Sequence, residues 1–325
     1  MSLQDDFNES ADEWYALESG SYPAVPRADS GDVIAVRSIL PLVVSDTDGY
    51  RAQRDVAEAA LVILSQSPHA RALAQIALKN NYSIRIDDIA HDSATAEASG
   101  YTDHLNKRIR AAVQTDPLRL ALVIAHELAH VAQKENGFEF SVLKQEPAAS
   151  IRELMALEGD ARAHEFIVAL ELAYKMKDDP DERLLFPQAI DVAMDTIGSE
   201  LTKKTIAHYR PQFPDIDRDE MMARIFKAFY GSLPLRAHYE GVVLQSLDTV
   251  DARDRQDPSL FSEAFNSAAV LKKIGPYAEK AAKYLDLDAP QMAGVTAGTQ
   301  AKLDLWQMRR SAEPVVQKPM KAPSP

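Results

Sequence analysis

DPLRLALVIAHELAHVAQKE, residues 116–135, is the stretch from which the rest of the chain is read. Asp116 offers an N-cap carboxylate, and Pro117 suits the first helical position, where a missing amide hydrogen leaves nothing unsatisfied. Leu118, Leu120, Leu122, Val123, Ile124 and Leu128 are apolar on several sides, with Arg119 the early exception. The expected element is a largely buried helix running to about Lys134 and ended by Asn136-Gly137. His126 and His130, four residues apart, share one face of it, so both imidazoles can reach a single ion. Glu127 lies beside them, where a general base for metal-assisted hydrolysis belongs. The bland reading makes the pair core histidines satisfied by neighbouring carboxylates or carbonyls.

Upstream, Asp6 to Ser19 reads as a short helix and Ile39 to Val44 as a strand despite Pro41. Apolar residues recur at helical spacing over Arg51 to Ser65 and His69 to Lys79. Tyr82-Ser83-Ile84-Arg85-Ile86 alternates as a strand does, and part of Leu105 to Val113 reads as a second strand at a sheet edge. Downstream, a long helix is expected from Ala148 to Lys177, stopped by Asp178-Asp179-Pro180. Further helices fit 184–197, 219–229, 235–247, 261–273, 277–285 and 301–308. The fold class is α+β, mainly helical, with a small sheet packed against the motif helix. Residues 1–50 read as an N-terminal extension, 51–178 as the metal-binding domain, 183–313 as a helical domain packed on it, and 314–325, with four prolines, as a disordered tail.

Bulk properties narrow the chemistry. A chain of 325 residues can bury a large core without a metal staple, so a metal here is expected to serve chemistry. There is no cysteine, so any zinc site must use nitrogen and oxygen donors. A net charge of −13 makes nucleic acid a poor partner. No run approaches ~20 consecutive apolar residues and the first residues are acidic, so a membrane span is not expected and a cytoplasmic location is the default. Glycine-rich phosphate loops, an EF-hand loop and a serine nucleophile elbow are all missing.

Two histidines do not complete a catalytic zinc site, which usually takes three protein ligands. Positions 133 and 136 are Gln133 and Asn136, which argues against a third histidine close by and for a carboxylate from a later helix. Glu158 is the first candidate, since its helical face also carries Leu154, Met155, Ala161 and Glu165, and a buried carboxylate needs a partner or a metal. Glu165, Glu153 and His164 follow. Gly159 and Ala161 leave room for another helix, and Asp160 suits a supporting role as acceptor from a ligating imidazole.

With these residues the chain resembles the gluzincins, zinc metallopeptidases in which a glutamate from a downstream helix completes the zincin-type site. It is more closely similar to a poorly characterised group of bacterial metallopeptidases. The pattern is a strand (Ile84 to Asp87), a Gly100-Tyr101 turn, a strand with Asn106-x-x-Ile109, His126-Glu-Leu-x-His130 with Gln133, and Glu158-Gly159-Asp160-Ala161. The likeness covers about residues 70 to 170. It implies His126, His130 and Glu158 as ligands of one zinc ion per chain, and Glu127 as the base acting on a metal-bound water to hydrolyse a peptide or protein substrate. One departure stands out: many gluzincins carry an aspartate four residues after the third ligand, where this chain has Arg162, free to pair with a nearby carboxylate.

An oxyanion stabiliser is also required. Tyr101, His208, Tyr209, Tyr230, His238 and Tyr239 are candidates, and Arg236-Ala237-His238-Tyr239 at a helix start is the most suggestive cluster. The strand at 107–113 could bind an extended peptide by strand addition. His69 reads as a surface residue, His91 and His104 could approach the site from the region before the motif helix but are not favoured as ligands, and Lys203-Lys204 reads as a solvated face. Two other readings keep the same residues: a non-catalytic zinc-binding helical protein, and a degenerate enzyme whose residues 180–313 bind a partner. The second would show a contiguous exposed apolar patch there.

Overall fold

The computed structural model describes residues 42–44, 51–87, 99–174, 186–195, 200–213, 215, 217–250, 254, 257, 259–274, 287–288 and 294–312. The readings of Asp6 to Ser19, His91 and 277–285 lie outside the described residues.

Four short strands form one sheet in the order β1-β2-β4-β3: β1 (Leu42–Val44), β2 (Ser83–Asp87), β3 (Gly100–Asp103) and β4 (Arg108–Ala112). β1, β2 and β4 run parallel, and β3 is antiparallel to β4. Alternation sets the two faces. Ile84, Ile86, Ile109 and Ala111 are fully buried on one, while Arg85, Arg108 and Arg110 take the other.

The sheet corrects two expectations. β4 is paired on both sides and is not an edge; the edge is β3, and Gly100-Tyr101 opens this strand and is not a turn. Gly100 is required there by space. A Cβ on it would stand 2.8 Å from Val123 Cγ1 and 3.1 Å from Glu127 Oε1, so only glycine lets the edge strand lie on the motif helix.

The helices α1 (Arg51–Ser65), α2 (Pro68–Lys79) and α4 (Pro147–Ala173) pack around α3 (Pro117–Glu135), the helix that lies on the sheet. α3 starts as its sequence requires, with Asp116 Oδ1 accepting from the Leu118 amide at 2.9 Å, and stops where Gly137 takes φ +82°. It packs on β3 and β4, on α1 and α2, and on α4. α4 is shorter than expected: Tyr174 turns extended (φ −126°, ψ 140°), ending the helix before the predicted stop.

Beyond it come α5 (Ala189–Asp195), α6 (Glu200–Tyr209), α7 (Arg218–Tyr230), α8 (Leu233–Asp248), α9 (Ser267–Lys273) and α10 (Ala297–Ala312). α7 lies along α4, where the Gly159 gap faces Phe229 and Phe226, the close helix approach that its small residues signalled. One apolar core runs from Ala57 through α3 and α4 to Trp306. Among the described residues no helix is long and apolar enough to cross a membrane.

Candidate metal centre

α3 presents His126, Glu127 and His130, whose donor atoms all lie within 4.8 Å of one another. α4 adds Glu158. His126 Nε2 is 3.2 Å from His130 Nε2 and 3.4 Å from Glu158 Oε2, and His130 Nε2 is 3.6 Å from Glu158 Oε1. Donors held about 2.0–2.2 Å from one ion at tetrahedral angles stand about 3.3–3.6 Å apart, so the two imidazoles and the carboxylate fit a single zinc ion.

The far sides of both rings are engaged. His126 Nδ1 faces Glu165 Oε2 at 3.3 Å, and Glu165, buried on α4, is held by Arg162 at 2.5 Å. His130 Nδ1 meets Gln133 Oε1 at 2.8 Å. Gln133 in turn donates to the Leu157 carbonyl at 2.9 Å and to Asp160 Oδ2 at 2.7 Å. Asp160 therefore supports His130 through Gln133.

Charge follows from this packing. Burial and the Arg162 cation oppose a charge on His126, but the Glu158 and Glu165 carboxylates outweigh them and hold its pKa up at about 9. Burial pushes Glu158 up, and His130, His126 and Arg162 more than reverse it, leaving its pKa at about 2. Burial also raises Glu165, yet Arg162 and His126 keep it below the ordinary glutamate value. The centre thus sets the Glu158 and Glu165 carboxylates against the His126 and Arg162 cations.

Glu127 is 4 % exposed and held from the edge strand: Thr102 Oγ1 lies 2.9 Å from Glu127 Oε2 and 3.0 Å from the Glu127 carbonyl oxygen. Sequence reading missed Thr102, for a lone threonine in a glycine-started segment has no pattern to mark it. Gln133 was visible only within a family-like motif.

The remaining candidates separate by position. Tyr239 on α8 donates its hydroxyl to Glu158 Oε2 at 3.3 Å; burial first, then Glu158, raise its pKa well above the usual tyrosine value. His238 is exposed, its ring against that of Tyr239 at 5.0 Å. Tyr101 bonds Arg110 on the sheet face that carries the arginines, Tyr209 pairs with Arg224, His208 is exposed, and Tyr230 is buried against Phe226. His104 is partly buried with Nδ1 3.0 Å from the Tyr82 hydroxyl; burial and the nearby His130, Lys134 and Lys107 bring its pKa down to about 4. Glu153, another ligand candidate, is raised mainly by its own burial.

His69 is not a surface residue. Its Nε2 lies 2.6 Å from His164 Nδ1, the two rings stack, and its backbone amide donates to the buried Glu171. His164 Nε2 faces Asp160 Oδ1 at 3.6 Å, which places it behind the centre and not among the donors. Burial is the first cause that lowers both, to about 2 for His69 and about 3 for His164.

No curated protein and no solved structure matches the chain. Residues 44–278 match the Putative metallopeptidase family (DUF6782), which spans more than half of the sequence, and the chain belongs to that family.

Proposed function

We propose that the chain is a zinc-dependent metallopeptidase of the gluzincin type, with His126, His130 and Glu158 holding one ion per chain and Glu127 as the base. The observation that carries this reading is the convergence of two Nε2 atoms and one carboxylate at 3.2–3.6 Å, each ring backed by an acceptor on its Nδ1 side. Zinc supplies Lewis-acid chemistry, lowering the pKa of water and polarising a carbonyl. Glu127 takes the proton of the attacking water and returns it to the leaving amine. Its hydrogen bond to Thr102 fixes the direction from which it does so. Tyr239, its hydroxyl at the Glu158 end of the donor set, is better placed than the exposed His238 to donate to the developing oxyanion.

β3 takes the role first given to the strand at 107–113: as the edge of the sheet beside Glu127, it is where an extended peptide would pair.

The test is zinc content by elemental analysis together with cleavage of fluorescein-labelled casein, on wild type, Glu158→Ala and Glu127→Gln. The expected result is about one zinc in wild type and Glu127→Gln, little in Glu158→Ala, and full cleavage in wild type only, with Glu127→Gln slower by about 10²–10⁴-fold. A wild type that takes up no zinc, or a Glu127→Gln variant that cleaves as fast as wild type, sinks the assignment.

A further inference from the structure

We propose that Gln133 is a positioning residue that fixes which ring nitrogen of His130 carries hydrogen, and that Asp160 sets its direction. This inference rests on His130 being a metal ligand and adds how the chain prepares it. The Gln133 side chain is sealed in the interior, the residue being 1 % exposed, so its hydrogen-bonding groups must be satisfied by the protein. Two oxygens on α4 accept from it, the Leu157 carbonyl, which can do nothing else, at 2.9 Å and Asp160 Oδ2 at 2.7 Å. Both amide hydrogens on Nε2 are thereby committed. Rotating the amide by half a turn would set Oε1 against those two oxygens and lose both bonds, so the orientation is imposed from α4.

The consequence falls on His130. Oε1 has no hydrogen to give, and the ring atom 2.8 Å away is His130 Nδ1, which must therefore be the donor. A neutral imidazole with hydrogen on Nδ1 has its lone pair on Nε2, the atom that faces His126 Nε2 and Glu158. The ring is thus set in the form that binds a metal before any metal arrives. Buried Asp160 is backed in turn by His164, whose Nε2 is 3.6 Å from Oδ1, so the chain of contacts runs from α2 through α4 to the ligand on α3.

The test uses the full-length protein with two readings. Long-range ¹H–¹⁵N spectra of ¹⁵N-histidine-labelled protein read the hydrogen on His130 directly, with or without zinc. Competition with a chromophoric chelator reads zinc affinity. Wild type is expected to show hydrogen on His130 Nδ1. Gln133→Leu is expected to lose that fixed form and about 10- to 100-fold in zinc affinity. Gln133→Glu, which sets a carboxylate against Asp160 and Leu157, should also weaken zinc. Adding Asp160→Asn to it restores a donor on α4 and should recover part of the affinity. A residue that only fills space predicts no such recovery.

His130 with hydrogen on Nε2 in wild type, a Gln133→Leu variant within twofold of wild-type affinity, or a double variant no tighter than Gln133→Glu overturns the proposal. A wild type that shows the Nδ1 form but binds no zinc leaves the clamp standing and removes the metal reading instead.

Discussion

His126 has a carboxylate at each ring nitrogen, Glu158 on one side and Glu165 on the other, and its pKa of about 9 means that the metal-free ring is charged at neutral pH. Zinc binds only the neutral ring, so uptake must displace a proton. Apparent affinity should rise by close to tenfold per pH unit from neutrality towards pH 9 on account of His126, and calorimetric titrations in buffers of different ionisation enthalpy should register about one proton released. An affinity flat over that range would show that His126 is not a ligand. Both histidines and Glu158 could be picked out as candidate donors because a four-residue spacing and a buried helical carboxylate are properties of sequence alone. The acceptors behind the rings were harder to read. Glu165 was a ligand candidate in sequence, and only its Arg162 partner and its place at His126 Nδ1 set it apart from Glu158; the Gln133 bonds depend on α4 crossing α3 at one height.

Helices declared themselves and the sheet did so only in part. α3 and α4 combine prolines at their first turns with apolar residues recurring along their whole length, and β2 alternates cleanly. β3 was missed because Gly-Tyr-Thr-Asp has neither alternation nor a β-branched run, and its existence rests on pairing with β4 and on contact with α3. The position of β4 was misjudged because the apolar residues of 105–113 look irregular in sequence, whereas Ile109 and Ala111 alternate with arginines that lie on the sheet face away from the core. Gly100 is where strand and helix depend on each other most. Gly100→Ala places a methyl group 2.8 Å from Val123 Cγ1 and 3.1 Å from Glu127 Oε1, so either the strand or the helix must shift. Overpacking of this kind costs about 1–3 kcal/mol. The expected outcome is a lower urea midpoint with an unchanged slope, and slower casein cleavage at undiminished zinc content, because the displaced group is Glu127 and not a ligand. An unchanged midpoint would mean that β3 does not lie as closely on α3 as described.

At the scale of the molecule, the histidines of one core set opposite limits on stability. His69 and His164 have pKa values of about 2 and about 3, below the ordinary 6.5, so the folded chain binds fewer protons than the unfolded one as pH falls. Their contribution is fully present above about pH 6.5 and is lost progressively below it, by up to about 1.4 kcal/mol per pH unit for each ring. Glu158, depressed to about 2, withdraws its own share as pH falls below the ordinary carboxylate range. His126 acts in the other direction: raised to about 9, its contribution is present below pH 6.5 and is lost as pH rises through 9. The metal-free protein should therefore be most stable near pH 6.5, with an acid limb from the pair behind the centre and an alkaline limb from the centre itself. If His126 is a ligand as proposed, zinc takes the place of its proton, so saturating zinc should abolish the alkaline limb and leave the acid one. With α3 and α4 in one continuous core, each melt should show a single transition, and zinc at about 100 times its Kd should add about 2.7 kcal/mol. Thermal melts from pH 5 to 10, with chelator and with zinc, check all three features. An alkaline limb that persists under saturating zinc would dissociate His126 from the metal, and two separate transitions would divide the core into units that unfold independently.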